Sequence, residues 1–448
     1  MIVFGIISFL TTLLTLILII LILKYERFMV VKPSTWFVFF FHITIQWASF
    51  FHFEYVYMSL KEPYIYYTLS NIVPLSILII SRKVFRSIAK KTWIKLQDAI
   101  VNYEADNNQN KRLMKITLSL SLMIILIYFQ YVPFKETGLY ISFTETDLLL
   151  ISLARENSSK LLEQQWLKYL EVFFEKFLAP LSASLLILTI LKNLVNKNRI
   201  WVLINISILI LLVIAAALPG ARINGVLVIL SSTITLLFMN RGRIKLLKLI
   251  YLFLIILLPA ILIEISKNKE TGIQGFELLK LGFEEIFIRR IFFVPTEVSV
   301  FWLQHVEKYG FWGIGGLEKI ASLVGVEPIH VPNLLANYFW SLDPNNSAYL
   351  STGFIISHYC YFGLSVVPFM VLGVLLLDTW VIFYKILKRY LILPAIVSLN
   401  MACISLTESD YLTIFVTYGF LTGLIFILFI NFYSNKIVVN IHESTNVM

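Results

Sequence analysis

The chain has 448 residues, 58% of them hydrophobic, and a formal net charge of +10. Such a composition excludes an ordinary soluble domain and makes the bilayer the solvent. The surplus charge lies in short clusters flanking apolar runs and not in a basic stripe, so it points to membrane orientation and away from a nucleic-acid partner.

A membrane span needs about 20 apolar residues. About eleven stretches qualify: 2–23, 35–57, 64–81, 116–134, 171–191, 200–218, 223–240, 249–265, 351–377, 390–407 and 411–433. The first has neither a basic lead nor a small-residue cleavage site, so it reads as a span and not as a removable signal peptide. Cys360 and Cys403 both fall in apolar spans, which leaves no disulfide framework or metal cluster in view.

The loops between the spans alternate in charge. Lys24/Arg27/Lys32, the segment 82–115, Lys192/Lys197/Arg199, Arg241/Arg243/Lys245/Lys248 and Lys385/Lys388/Arg389 form the basic set, expected in the cytoplasm. Loops near 58–63, 135–170, 219–222, 266–350 and 408–410 carry most of the acidic residues and are expected outside. The fold expected from this pattern is all-α, a single polytopic domain over 1–448 with its N-terminus outside and its C-terminus inside.

Two outer loops, about 135–170 and 266–350, are long enough to imply helices and a function of their own. The segment 276–310 has an apolar stripe of helical period, suited to lie in the outer interface. On the inner side, 82–97 reads as a basic interfacial helix on anionic headgroups, and membrane lipids are expected partners.

A few charges ask for an explanation. Arg222 follows the turn at Pro219 and Gly220 and opens the next span, on the side where positive charge is disfavoured. A guanidinium at a helix N-terminus suits phosphate or pyrophosphate oxygens, although an arginine there can also simply snorkel to the interface. Arg289 and Arg290 sit together in an aromatic stretch; Glu285 can pair with Arg289 at i,i+4, which leaves the second cation for an anion. In the first long loop, Arg155 lies among Glu156, Asn157, Ser158 and Lys160, a set that binds phosphate or sugar hydroxyls or forms a solvated helix.

His305 and His330 in the second long loop, and His358 two turns into the next span, are candidate general bases; a buried structural role is open to each. Glu297 ranks behind them, because a carboxylate needs a large upward shift to act near neutrality. Asn345, Asn346 and Tyr349, with Tyr338 and Trp340 just before them, supply the amides and aromatic faces that bind sugars. There is no Walker loop, dinucleotide fingerprint, HExxH or paired aspartates of a nucleotide-sugar site. No cofactor is expected, and the chemistry need not use a metal.

The succession Lys135-Glu136-Thr137-Gly138-Leu139-Tyr140, Ala154-Arg155-Glu156-Asn157-Ser158-Ser159-Lys160-Leu161-Leu162, Gly220-Ala221-Arg222 and Arg289-Arg290-Ile291-Phe292-Phe293-Val294-Pro295 resembles the bacterial O-antigen and capsule repeat-unit polymerases. The tract from Asn337-Tyr338-Phe339-Trp340 through Asn345-Asn346-Ser347 to Gly363 is similar to that family's entry into the span after the large loop. The resemblance implies an inner-membrane enzyme with a helical fold akin to lipid-linked glycosyltransferases. It would transfer a polyprenyl-pyrophosphate-linked glycan onto a fresh lipid-linked repeat unit, with the arginines on the pyrophosphate and a chain-length regulator protein as a further partner. Related ligases carry a histidine just before that span; here Asn345-Asn346-Ser347 stands there, which leaves the base open. The alternatives are an O-antigen ligase, with the same donor and another acceptor, and a lipid-linked oligosaccharide flippase.

Overall fold

The structure is a computed structural model that describes residues 2–101, 107–144, 161–162, 164–219, 222–239, 277, 280–281, 284, 289, 293–340, 350–417 and 419–445. Among these residues every regular element is a helix, as the apolar periodicity requires. Seven of the described helices are long and apolar enough to cross a membrane: Val3–Tyr25, Gln109–Tyr131, Gln165–Val195, Arg199–Ala217, Phe354–Phe383, Arg389–Thr407 and Thr413–Phe432. The chain is an all-α membrane protein.

The expected count of eleven is not reached on length and apolarity. The stretch 223–240 forms a shorter apolar helix, Asn224–Met239, and 249–265 lies outside the described residues. Stretches 35–57 and 64–81 are helical but interrupted by wide π turns at His42–Gln46 and Thr68–Ile72. Their polar residues bond within a turn and, through Gln46 and Asn71, between helices. His42 Nδ1 meets Gln46 Oε1 at 2.6 Å, Gln46 Nε2 donates to the Asn71 carbonyl at 3.4 Å, and Thr12 Oγ1 donates to Asn71 Oδ1 at 3.2 Å. Such pairs hold helices together inside a bundle and lower the apolarity of each helix alone.

The segment 82–97, expected as an interfacial helix, is helical. It continues the preceding helix without a break, as Val73–Val101, because no proline or glycine interrupts the pattern and Arg82 and Arg86 find a carboxylate. Arg82 donates to Glu26 at 2.6 and 3.0 Å, and Arg86 lies 3.0 Å from the same group.

The core is the Arg389–Ile404 helix, in which every residue from Tyr390 to Ile404 is buried. It packs against Pro33–Phe41, Val73–Val101, Ala179–Val195, Arg222–Met239 and Phe420–Thr445. A helix buried on all sides needs no polar face, which explains why Ser398 and Asn400 are the few polar residues in its otherwise apolar interior.

Near Glu26, at the basic end of the bundle, Lys32 and Asp378 are fully buried with Nζ and Oδ2 3.7 Å apart. Asp378 accepts hydrogen bonds from the Ser34 N–H at 2.9 Å, from Ser34 Oγ at 2.6 Å and from Ser81 Oγ, and Lys32 Nζ donates to Ser81. The aspartate thereby ties the start of Pro33–Phe41 to Val73–Val101 and to the end of Val367–Asp378.

Candidate functional site

The other end of the bundle holds the described parts of both long loops. In the first, helix Gly138–Thr144 begins against the turn before Arg222: the Leu139 N–H donates to the Leu218 carbonyl at 3.0 Å. Arg222 opens the helix Arg222–Met239, where its position at the N-terminus was expected. The side chain of Arg222 lies outside the described residues, as do Arg155, Arg290, Asn345, Asn346 and Tyr349. Arg289 is exposed, and Trp340 is the last residue of Val331–Trp340.

In the second loop, Pro295 starts the helix Val294–Tyr309 and Gly310, with φ +88°, ends it. The helix is anchored by Trp302, 1% exposed, whose Nε1 donates to the Leu350 carbonyl at 2.6 Å. One turn on, His305 stacks against Trp312 with ring centroids 4.9 Å apart, and lies 4.6 Å from Tyr309 and 5.7 Å from Tyr338. His305 and Tyr338, both predicted from the sequence, are thus brought together.

Lys308 Nζ donates to the Tyr338 hydroxyl at 2.8 Å and lies 4.9 Å from the Tyr309 ring centre; Tyr309 donates to Tyr338 at 3.3 Å. Sharing these hydrogen bonds holds the Lys308 ammonium above its ordinary pKa and the Tyr338 hydroxyl below its own. Tyr309 and Tyr338 are exposed, so two aromatic faces, two hydroxyls and an ammonium share one surface. Sugars are bound by such groups, with ring C–H faces on the aromatics and hydroxyls on the polar atoms.

His305 is 8% exposed, and its Nδ1 has no hydrogen-bond partner among the described residues. Burial, helped by the Lys308 charge, holds its imidazole below the ordinary value of 6.5. The folded protein then binds this proton less readily than the unfolded chain, so stability rises with pH below about 6.5. The thermal midpoint of the purified protein is expected to fall between about pH 7 and about pH 5.5, with part of that fall absent in His305→Asn. Identical pH dependence in the two proteins excludes this burial cost.

The other two histidines are placed differently. His330 Nδ1 faces Glu318 Oε1 at 3.3 Å across an exposed turn. His358 reaches the same aromatic group from below: its ring is 5.8 Å from Tyr361, and Tyr361 lies 6.4 Å from Trp312. His305 and His358 therefore stand at the two ends of one run of packed rings, whereas His330 lies apart, against Glu318.

The structure adds a cluster that the sequence reading passed over. Glu171, Glu175 and Lys176 lie within the helix run Gln165–Val195, which widens into a π turn at Phe174–Leu178. Such turns are frequent at functional sites. Glu175 is 5% exposed and accepts a 2.6 Å hydrogen bond from Asn224 Nδ2, in the first turn of Arg222–Met239. Glu171 Oε1, Glu175 Oε1 and Asn224 Oδ1 are buried without a hydrogen-bond partner among the described residues. Both glutamates line a pocket that also touches Leu218 and Pro219. The signal was legible: Glu171, Glu175 and Lys176 follow one another closely at the start of a stretch otherwise apolar enough to span, and ionisable residues at such depth mark functional sites. No group of three or more His, Cys, Asp and Glu among the described residues is arranged to hold a metal ion.

No family model, curated protein or solved structure matches this chain.

Proposed function

We propose that the protein is a repeat-unit polymerase of a bacterial surface polysaccharide. In this reading it crosses the inner membrane about eleven times, with both long loops on the outer face. There it transfers a polyprenyl-pyrophosphate-linked glycan to a lipid-linked repeat unit. The observation that carries the reading is the surface in the second long loop, where Tyr309 and Lys308 bond to Tyr338 beside the His305 ring. Its aromatic faces suit a glycan. Arg222 at a helix N-terminus suits the pyrophosphate, and the resemblance of Arg289-Arg290-Ile291-Phe292-Phe293 and Ala154-Arg155-Glu156 to the polymerase family supports the same assignment.

The reaction follows from these groups. An acceptor hydroxyl attacks the anomeric carbon, its proton passes to a base, and the bond to the pyrophosphate breaks. Arginines stabilise the charge that develops on the departing polyprenyl pyrophosphate.

A second reading, a flippase for the lipid-linked oligosaccharide, is favoured by Glu171, Glu175 and Lys176, because charges within a span also line transport pathways. One experiment separates these readings and the ligase. After deletion of the gene, the surface polysaccharide is run on a gel. A polymerase mutant shows single repeats attached, a ligase mutant shows none, and a flippase mutant retains the precursor inside the cell. Long chains in the deletion strain exclude the polymerase.

A further inference from the structure

We propose that Glu175, oriented by Asn224, is the base that accepts the proton of the acceptor hydroxyl, and that Glu171 binds a second hydroxyl of the same sugar. The assignment rests on the polymerase reading and gives that reaction a carboxylate base in place of a histidine.

The geometry is that of an oriented base. Asn224 Nδ2 holds one carboxylate oxygen of Glu175 at 2.6 Å, and the other oxygen is buried without a partner among the described residues. An oriented base of this kind, with one atom held and one atom open, recurs in acid–base catalysis. A buried acceptor left unmet is costly, and a ligand rich in hydroxyl donors best explains two of them, in Glu175 and Glu171, lining one pocket. Asn224 Oδ1, beside Glu175 but not in the pocket wall, is a further one.

The pocket has about 20 Å³ of free space, room for a single hydroxyl-sized group. The sugar ring therefore stays outside it, with only its hydroxyls reaching the carboxylates. The remaining walls, among them Tyr128, Leu167, Leu170 and Phe174, are mainly apolar and keep the carboxylates from bulk water. Asn224 stands two residues after Arg222, so the residue that orients the base and the cation assigned to the leaving group share one helix turn. The charged groups facing Glu175 are Glu171 and Lys176 of its own helix run; Lys176 is faced in turn by Glu408, and Glu171 by Lys168.

In the step itself, the acceptor O–H bond breaks and its proton goes to Glu175 Oε1. The oxygen forms the new bond to the anomeric carbon, and the old bond to the phosphate oxygen breaks with its electron pair leaving on polyprenyl pyrophosphate. No oxidant, reductant or further reactant is needed.

The test uses the purified full chain and lipid-linked repeat units extracted from a strain lacking this gene. Glu175→Gln keeps the size of the side chain and an oxygen for Asn224, and is expected to lower kcat by about 10²–10⁴-fold with KM little changed. The acid limb of the pH profile is expected to disappear with it. Glu175→Asp restores only part, because the oxygen is drawn back by one methylene. Glu171→Gln is expected to raise KM more than it lowers kcat. Melting curves in detergent confirm that each variant is folded. If the wild type polymerises and Glu175→Gln stays within about threefold of it with an unchanged acid limb, this assignment is overturned and the polymerase reading stands. If the wild type makes no polymer from these units, both fall together.

Discussion

Asp378→Ala is expected to destabilise the folded protein by about 3–5 kcal/mol, the cost of leaving a buried charge uncompensated. Lys32 and Asp378 are both 0% exposed, so the stranded Lys32 ammonium has no route to water without opening the bundle. The Ser34 N–H and the Ser34 and Ser81 hydroxyls lose their acceptor at the same time. The variant should show a large fall in melting temperature and in the monodisperse fraction recovered from detergent. Lys32→Met combined with Asp378→Leu should recover much of the loss, because an apolar pair of similar size removes both desolvation costs. Recovery stays incomplete, since the Asp378 carboxylate that the serines bond is gone. A melting curve for Asp378→Ala that overlays the wild type refutes the account.

Arg222→Ala, Arg289→Ala and Arg290→Ala are each expected to lower polymer formation by about 10²–10³-fold, the usual cost of removing one donor from the charge that develops in a transition state. Protein levels in the membrane should remain near normal. Arg→Lys should restore little where the contact is bidentate, because a compact ammonium cannot reproduce a planar fork on two phosphate oxygens. Rates are measured with purified protein and lipid-linked repeat units, alongside membrane abundance. Undiminished polymer in all three alanine variants removes the arginines from the site.

The helical class and most long apolar helices were legible in the chain, since Val3–Tyr25, Arg199–Ala217 and Arg389–Thr407 each satisfy the length and apolarity of a span by local composition. Tyr338 and His305 were legible as chemistry but not as neighbours; they lie far apart along the chain, and only packing brings their rings to 5.7 Å. The segment 82–97 was legible as a helix but not as the continuation of the helix before it, Val73–Val101, whose Arg82 and Arg86 stay at the surface while pairing with Glu26. The stretches 35–57 and 64–81 are helical but not among the seven described helices long and apolar enough to span, and Gln46 and Asn71, which bond between them, lower their apolarity. Glu171 and Glu175 were missed because the reading placed them at the edge of a span, where charge is ordinary.

By itself the sequence determined the solvent of this protein and its secondary structure. Hydrophobicity summed over about 20 residues, with the hydrogen bonds a lipid-embedded backbone must make to itself, leaves the helix as the available form for such segments. The tertiary structure alone decided which buried polar groups are satisfied and which stay open. Asp378 meets Ser34 across 344 residues, and Asn224 holds Glu175 across 49. A hydrogen bond acts over about 3 Å of space whatever the distance along the chain, so that distinction is set only where the helices meet.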